Sequence, residues 1–441
     1  MKNILLCCVL FVFYACNDKS DYNEIFSNPK LYNETVHELN LIVMGNNFSP
    51  IVASRNYTYA CIGAYEVMAA INPTKFNSLA GQLNGLNNIP KPSKAEAINF
   101  PFATLLTFCN LGESVTFPEG SMKYYVDSLK HLATTHGMPS DILTNSIKYA
   151  DTVSQFIKEW SSKDNYAQTR TYPKYQVQSD IPWRWVPTPP GYFEAAEPNW
   201  RYIRTMVLDS ANQFIPPPPP EFDIKNKNSK YYKELMLIKT AVDSLNKEQK
   251  HIADFWDDNP MKLNVVGHLM FNTKKFSPPG HWMGIAGIAA SKAKLDFENT
   301  VYAYALLSIV QFDAFIHCWD EKYRSNYARP ETVINQFFDQ EWRPYLQTPP
   351  FPEYTCGHST VSAANAEALT AVFGDNFAYT DSTELEFGIA NRSFTSFRNA
   401  AIENNWARFY GGIHFHNSCI VSTEYGRKVG DYVVSHLSMK K

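Results

Sequence analysis

The stretch Val301–Trp319 constrains the fold more than any other part of the chain. It reads VYAYALLSIVQFDAFIHCW, an apolar run interrupted by Ser308, Gln311, Asp313 and His317. A helix that is apolar on every face is either a membrane span or the centre of a large core. Polar groups in mid-segment, one of them an acid, are expensive in hydrocarbon. The stretch is therefore read as a buried core helix inside a helix predicted over Ser291–Asp320. Such a helix needs others around it. Helical period or helix-forming composition recurs over Ala53–Ala70, Lys230–Phe255, His358–Phe373, Phe394–Trp406 and Asn417–Leu437. Within Lys230–Phe255, Leu235, Leu237, Ile238, Val242 and Leu245 fall close to one face. Alternating strand patterns are scarce. The expected fold class is all-α, a large helical bundle.

The chain has 441 residues, 45% hydrophobic and 19% charged, which supplies a large core and excludes wholesale disorder. There is no internal repeat and no clear boundary between about 40 and 440. One large helical domain over 41–441 is expected, with 16–40 as a tether and first segment. Forty Lys and Arg against 43 Asp and Glu give a net charge of -3. No basic excess exists to neutralise a phosphate backbone, so nucleic acid is not an expected partner.

At the N-terminus one Lys precedes the apolar run Ile4–Ala15. The run is too short to span a bilayer and fits the core of a signal peptide over 1–15. Small Ala15 precedes Cys16, and polar Asn17–Asp21 follow. The pattern resembles a bacterial lipoprotein signal, which implies lipidation at Cys16. An ordinary secretory signal is the alternative. Either way an exported protein is expected, secreted or held at the membrane by a lipid anchor alone. Beyond Cys7, Cys8 and Cys16, the cysteines are Cys61, Cys109, Cys318, Cys356 and Cys419. An odd, scattered set without a CxxC pair suggests neither a disulfide framework nor a zinc ribbon.

Pro-rich connections separate the helical segments. Ile181–Gly191 reads IPWRWVPTPPG, and Ile215 is followed by Pro216–Pro220. Five prolines favour a stiff extended stretch of ~15 Å. A strap across the surface is the expected role.

Three segments of the last third carry chemistry. In the first, Lys322 and Arg329 stand seven apart. On one helix that is about 700°, nearly the same face, so two long cations could meet one anion. In the second, Cys356-Gly357-His358-Ser359 opens a helix. Its first turn would offer free N–H groups to an anion, with His358 at the mouth as an acid–base group. In the third, Arg408 and His414 stand six apart and cannot share a face of one straight helix. Gly411-Gly412 between them would let the chain bend and bring both to one point. His414 and His416 also invite a zinc reading, although no carboxylate lies close in sequence to complete such a set.

Lys-x6-Arg-Pro, Gly-His-Ser and Arg-x5-His occur in that order. The set resembles the signature of the vanadium-dependent haloperoxidase and type 2 phosphatidic acid phosphatase superfamily, whose middle motif is normally Pro-Ser-Gly-His. Ser54–Glu66, Trp185–Pro198, the proline run and Pro278–Trp282 resemble its secreted bacterial haloperoxidase-like branch. The resemblance covers most of the chain from about 40 onward. It implies an oxyanion site built from about 295–440, with vanadate as cofactor and phosphate able to take the same place. Lys322, Arg329, Arg408 and the Gly357 N–H would hold equatorial oxygens. His414 would bind vanadium at the apex, or attack phosphorus as a nucleophile. His358 would serve as acid–base. Asp257, Asp258, Asp313 and Asp320 are candidates to orient a histidine. Trp319, Phe351 and His416 are pocket candidates. Cys356 stands where the family usually has Ser. A thiol donates poorly, which would lower anion affinity by ~1 kcal/mol, and peroxide can oxidise it.

Both chemistries grip the same oxyanion. No further membrane span appears, and a long stretch precedes Lys322. These features favour a vanadate-dependent haloperoxidase that oxidises iodide or bromide with hydrogen peroxide. The alternative is an acid phosphatase acting on a phosphate ester through His414. Further alternatives are a surface lipoprotein that binds an oxyanion or phospho-ligand without turnover, and a zinc hydrolase.

Overall fold

The computed structural model describes residues 20–260, 262–266 and 268–441. The signal segment and Cys16 lie outside the described residues. Helices α1 (Tyr22–Phe26), α2 (Pro29–Gly45), α3 (Pro50–Ile71), α4 (Phe100–Val115), α5 (Lys123–Thr135), α6 (Ser140–Ser161) and α7 (Tyr166–Thr169) form the first half. After a long irregular stretch come α8 (Lys230–Asp243), α9 (Lys247–Phe255), α10 (Pro278–Ala293), α11 (Phe297–Ser325) and α12 (Pro330–Phe337). The last three are α13 (Gly357–Phe373), α14 (Phe397–Tyr410) and α15 (His416–His436). The described strands make two short antiparallel ribbons. One pairs β1 (Leu263–Val266) with β2 (Leu269–Asn272), and the other pairs β3 (Tyr379–Asp381) with β4 (Arg392–Phe394). The all-α expectation holds.

Polar caps set where helices begin. Asn28, Ser49, Asn99, Ser229, Asn246, Asp296 and Ser396 each accept a first-turn N–H, satisfying a donor the helix cannot. Two expected boundaries are corrected by such caps. Lys230–Phe255 is two helices, because Asn246 and Gln249 form a capping box that starts α9 afresh. Ser291–Ala293 belongs to α10, which Lys294 ends in the left-handed region at φ 53°, and Asp296 then caps α11.

Helix α11 is the axis of the core. Every residue from Ala303 to Tyr323 is buried. Its polar residues find partners inside. The Asp313 carboxylate accepts the backbone N–H groups of Met206, Val207 and Leu208 at 2.6, 2.8 and 2.9 Å. Gln311 accepts from Asn365, Ser308 Oγ donates to Ala305 O, and His317 Nδ1 lies 3.3 Å from Ala211 O. Although long and apolar enough to cross a membrane, α11 is enclosed by protein. Helix α3, buried from Ile51 to Ala69, packs against α11 on one side and α4 on another. Helices α13, α14 and α15 close the other side. Here α13 and α15 approach so closely that a Cβ at Gly426 would lie 2.2 Å from Thr360 O. The five cysteines from Cys61 onward are all buried and free.

The proline run lies across the region that carries the site. Prolines lack N–H groups but keep carbonyls, and Tyr354 and Tyr327 donate their hydroxyls to Pro217 O and Pro220 O. The Trp-rich connection is tied down too. Trp185 N–H donates to Asn326 O at 2.8 Å, and Ala328 N–H to Trp183 O at 2.9 Å.

Candidate functional site

Helix α11 ends in the left-handed Asn326, so Lys322 and Arg329 do not share one helix. Lys322 is on its last turn, and Arg329 is the N-cap of α12. The expected common helical face is replaced by a turn that brings both cations to the segment Phe351–Glu353. Lys322 Nζ donates to Pro352 O and Glu353 O at 2.8 and 3.1 Å. Arg329 Nε donates to Phe351 O at 2.9 Å, and Nη1 to Ile413 O at 2.8 Å. Both side chains are fully buried. Burial pushes the Lys322 ammonium down to about 8 and the Arg329 guanidinium down to about 10.

His414 follows the bend at Gly411-Gly412, where Gly412 adopts φ 78°. The bend was expected, and it turns His414 toward Arg329 Nη1, 3.0 Å from its Nε2. The other nitrogen, Nδ1, lies 2.8 Å from Glu353 Oε1. Glu353 is wholly buried and also accepts the Phe415 N–H at 3.1 Å and the Ser418 hydroxyl at 2.9 Å. A carboxylate at Nδ1 holds the proton there and leaves the Nε2 lone pair facing the cations. Glu353 was not among the carboxylates expected to orient a histidine. The available signal was a single acid in the otherwise apolar Pro349–Tyr354 run.

Of the four expected orienters, one faces a histidine of the motif. Asp258 Oδ2 lies 3.9 Å from His358 Nε2. Asp257 pairs with Lys262, Asp320 with Arg324 and Arg201, and Asp313 with backbone. Asp258 in turn is anchored by His281, whose Nδ1 is 2.9 Å from Asp258 Oδ1 and whose Nε2 is 2.9 Å from Asp381 Oδ2. Burial alone would lower the His281 pKa, but the two flanking aspartates outweigh it and raise the imidazolium well above the usual range. For His358 burial acts first, with Arg408 and His414 adding to it, so its pKa falls well below the usual range and it is neutral. Among the described residues, the group with ligand atoms close enough for a metal ion is Asp258, His281 and Glu384. The Lys275 ammonium lies 2.9 Å from Glu384 and already supplies the positive charge there.

Arg408, on the last turn of α14, is buried and donates from Nη1 to Trp256 O at 2.9 Å. Cys356 is the N-cap of α13, and Gly357 begins the helix, whose first-turn N–H groups have no intrahelical acceptor. A Cβ at Gly357 would touch the Trp319 ring at 3.4 Å, so the glycine keeps that edge open. Burial pushes the Cys356 thiol up, but the Cys419 thiol and His414 beside it outweigh this and hold it well below the usual range.

Trp319 and Phe351 wall the cations. Their rings are 5.0 Å apart, and Lys322 Nζ lies 5.6 and 4.9 Å from their centroids. His416 is not part of this wall. Its ring stacks on Trp406 at 4.7 Å and meets Phe409 at 5.3 Å. His414 and His416 thus face different surroundings, and the zinc reading of the pair is corrected.

The buried polar atoms of this region without a hydrogen-bond partner include Arg329 Nη2, Arg408 Nε, His358 Nε2 and Asp258 Oδ2. Buried donors without acceptors are costly, and three buried cations more so. An anion that accepts from the two guanidinium groups would complete the site.

Comparison with known proteins agrees. Residues 302–440 match the model of the VCPO second helical-bundle domain. The crystal structure of the first bacterial vanadium-dependent iodoperoxidase superposes with a TM-score of 0.88 at 45% identity, covering 94% of this chain and 97% of that one. A bacterial vanadium-dependent chloroperoxidase shares the fold. Its holo form gives a TM-score of 0.68 at 17% identity over 90% of this chain and 94% of that one. Its apo form gives 0.66 at 18% over 89% and 95%. No curated protein matches by sequence. Near-complete coverage at 45% identity, together with the order in which the motifs build this cluster of cations and histidines, places the chain in the vanadium-dependent haloperoxidase family.

Proposed function

We propose that this haloperoxidase oxidises iodide with hydrogen peroxide at a vanadate held by Lys322, Arg329, Arg408, Gly357 and His414. The observation that carries the assignment of these residues is the pair of unpartnered buried guanidinium atoms, Arg329 Nη2 and Arg408 Nε, with the Arg329 guanidinium lying against His414 Nε2. A tetrahedral oxyanion would supply the missing acceptors, and His414 Nε2 would hold its central atom. Vanadate, when bound, supplies an electron-poor centre that activates peroxide toward a halide. The chain's own residues do the rest. Glu353 keeps the His414 proton on Nδ1. The buried cations would hold the negative oxygens in a low-dielectric site, where each charge interaction is stronger than in water. Neutral His358 can take a proton from incoming peroxide at Nε2, and Asp258 beside it favours the imidazolium so formed.

Three features support iodide. The relative at 45% identity is an iodoperoxidase. Trp319 and Phe351 present an apolar wall, which disfavours strongly hydrated halides more than iodide. Iodide is also the easiest of the halides considered to oxidise. The phosphatase and non-catalytic alternatives are not favoured by these comparisons. We further propose export, with Cys16 as a lipid anchor, on the strength of the N-terminal pattern alone.

The test uses metal-stripped protein supplied with orthovanadate and peroxide, with iodide and bromide oxidation followed in parallel. Vanadate-dependent iodide turnover that His414→Ala abolishes is the expected result. Turnover that survives His414→Ala, or that needs no vanadate, would overturn the assignment.

A further inference from the structure

The site holds a chemistry that halide oxidation does not use. The Cys356 sulfur is buried among the oxyanion-facing groups and accepts a hydrogen bond from Ser359 Oγ at 3.1 Å. The Cys356 backbone N–H donates to Ser422 Oγ on α15 at 2.8 Å. One turn before Ser422 on the same helix, and on the same face of it, stands Cys419, also buried. The Ser422 contact thus brings two buried thiols to the same place in the close approach of α13 and α15. Cys318, the other cysteine nearby, has its sulfur 3.3 Å from Thr355 Oγ1.

We propose that Cys356 and Cys419 are a peroxide-reactive thiol pair, which hydrogen peroxide converts to a Cys356–Cys419 disulfide whenever no oxyanion fills the site. The inference rests on the haloperoxidase reading only in that peroxide is this enzyme's substrate. In the first step the Cys356 sulfur attacks one peroxide oxygen and the O–O bond breaks. The distal oxygen leaves as water with the thiol proton, and Cys356 becomes a sulfenic acid. In the second step the Cys419 sulfur attacks the Cys356 sulfur, and the S–O bond breaks. The hydroxyl leaves as water with the Cys419 proton. One peroxide is reduced to two waters, and two thiols are oxidised to one disulfide. The Ser359 hydroxyl is placed to donate to the departing oxygen.

Two consequences follow from the geometry. Bonding to α15 draws the Cys356 sulfur away from the oxyanion and disturbs the N-terminus of α13, so the disulfide form binds oxyanion weakly. Capture by Cys419 also stops oxidation at a reducible stage, short of the irreversible sulfinic acid. A serine at position 356 would have neither reaction.

The experiment treats vanadate-free, halide-free full-length protein with one equivalent of hydrogen peroxide. The thiols are then blocked and peptides are mapped by mass spectrometry. Two thiols should be lost, a Cys356–Cys419 cross-linked peptide should appear, and dithiothreitol should restore both. Inorganic phosphate at saturating concentration should slow the loss at least tenfold, since it has the shape of the ligand but carries no peroxide. In Cys419→Ala, dimedone should trap a sulfenic acid at Cys356, and in Cys356→Ser the Cys419 thiol should stay reduced. Both thiols remaining reactive after peroxide, a bridge from Cys356 to Cys318, or no protection by phosphate would each overturn the proposal. None of these readouts involves halide turnover, so failure of the iodide assignment would be seen separately.

Discussion

Arg408→Met separates a residue that binds the oxyanion from one that only supports the fold. Methionine keeps much of the apolar stem and removes the guanidinium. In the protein without oxyanion, Arg408 makes one hydrogen bond, to Trp256 O at 2.9 Å, and its Nε has no partner. No carboxylate lies within ion-pair distance of it among the described residues. Removing the group leaves one buried carbonyl unsatisfied, a loss of about 1–3 kcal/mol. It also relieves the burial of an unpaired cation, which acts in the opposite direction and is of similar size. The net change in stability is therefore small. Oxyanion binding has no such compensation. A charged hydrogen-bond partner contributes about 1.5–3 kcal/mol, so affinity should fall by about 10- to 150-fold. His358 supplies an internal check. Arg408 is the largest charge effect lowering its pKa after burial, so in the variant His358 should titrate at higher pH. Calorimetric titration with orthovanadate and with phosphate gives the affinity, urea unfolding gives the stability, and NMR of the His358 ring gives the pKa. An affinity within twofold of the parent would refute the reasoning. So would a stability loss of several kcal/mol with unchanged binding, which would make Arg408 a structural residue.

Other changes test neighbouring parts of the site. Glu353→Gln keeps the shape of the side chain but removes the buried carboxylate that acts most strongly on Arg329, and urea unfolding should show a loss of about 3 kcal/mol. Cys356→Ser restores a good donor at the α13 N-cap and should tighten phosphate or vanadate binding by ~1 kcal/mol, about fivefold, by the same calorimetry. Fully buried His317 has its pKa lowered to about 4 by burial, from a usual value near 6.5. As pH falls from about 6.5 to 4 the unfolded chain takes a proton that the folded chain refuses, so this group withdraws about 3 kcal/mol of stability across that window. His317→Gln should show a correspondingly flatter stability profile between pH 7 and 4, and an equally steep one would assign the acid lability elsewhere.

How much of this was legible in the chain differs from element to element. The core helix was, because an apolar run with a few interior polar residues has few places to go, and α11 is buried where it was expected to be. Helices α13 and α15 were read nearly to their ends. Helices α2, α4, α5, α6 and α10 were not anticipated, and Lys230–Phe255 hid its break, because a capping box at Asn246 is a local event inside a continuing helical composition. Lys322, Arg329, Cys356, Gly357, His358, Arg408 and His414 were all named from their order. Their order was the signal rather than a helical spacing, since Lys322 ends one helix and Arg329 caps the next.

Two things waited for the tertiary structure. One is which carboxylates serve the histidines. Glu353 and His414 are 61 positions apart, and Asp258 comes to His358 from the connection between α9 and α10, so neither pairing has a sequence period to reveal it. The other is the electrostatic state of the site. In the unfolded chain Lys322, Arg329 and Arg408 are solvated cations like any others. Burial strips their water, lowers the pKa of His358 and leaves guanidinium atoms without acceptors. The residue types that can hold an oxyanion are written in the sequence. The need for one arises only when the fold removes the water that would otherwise take its place.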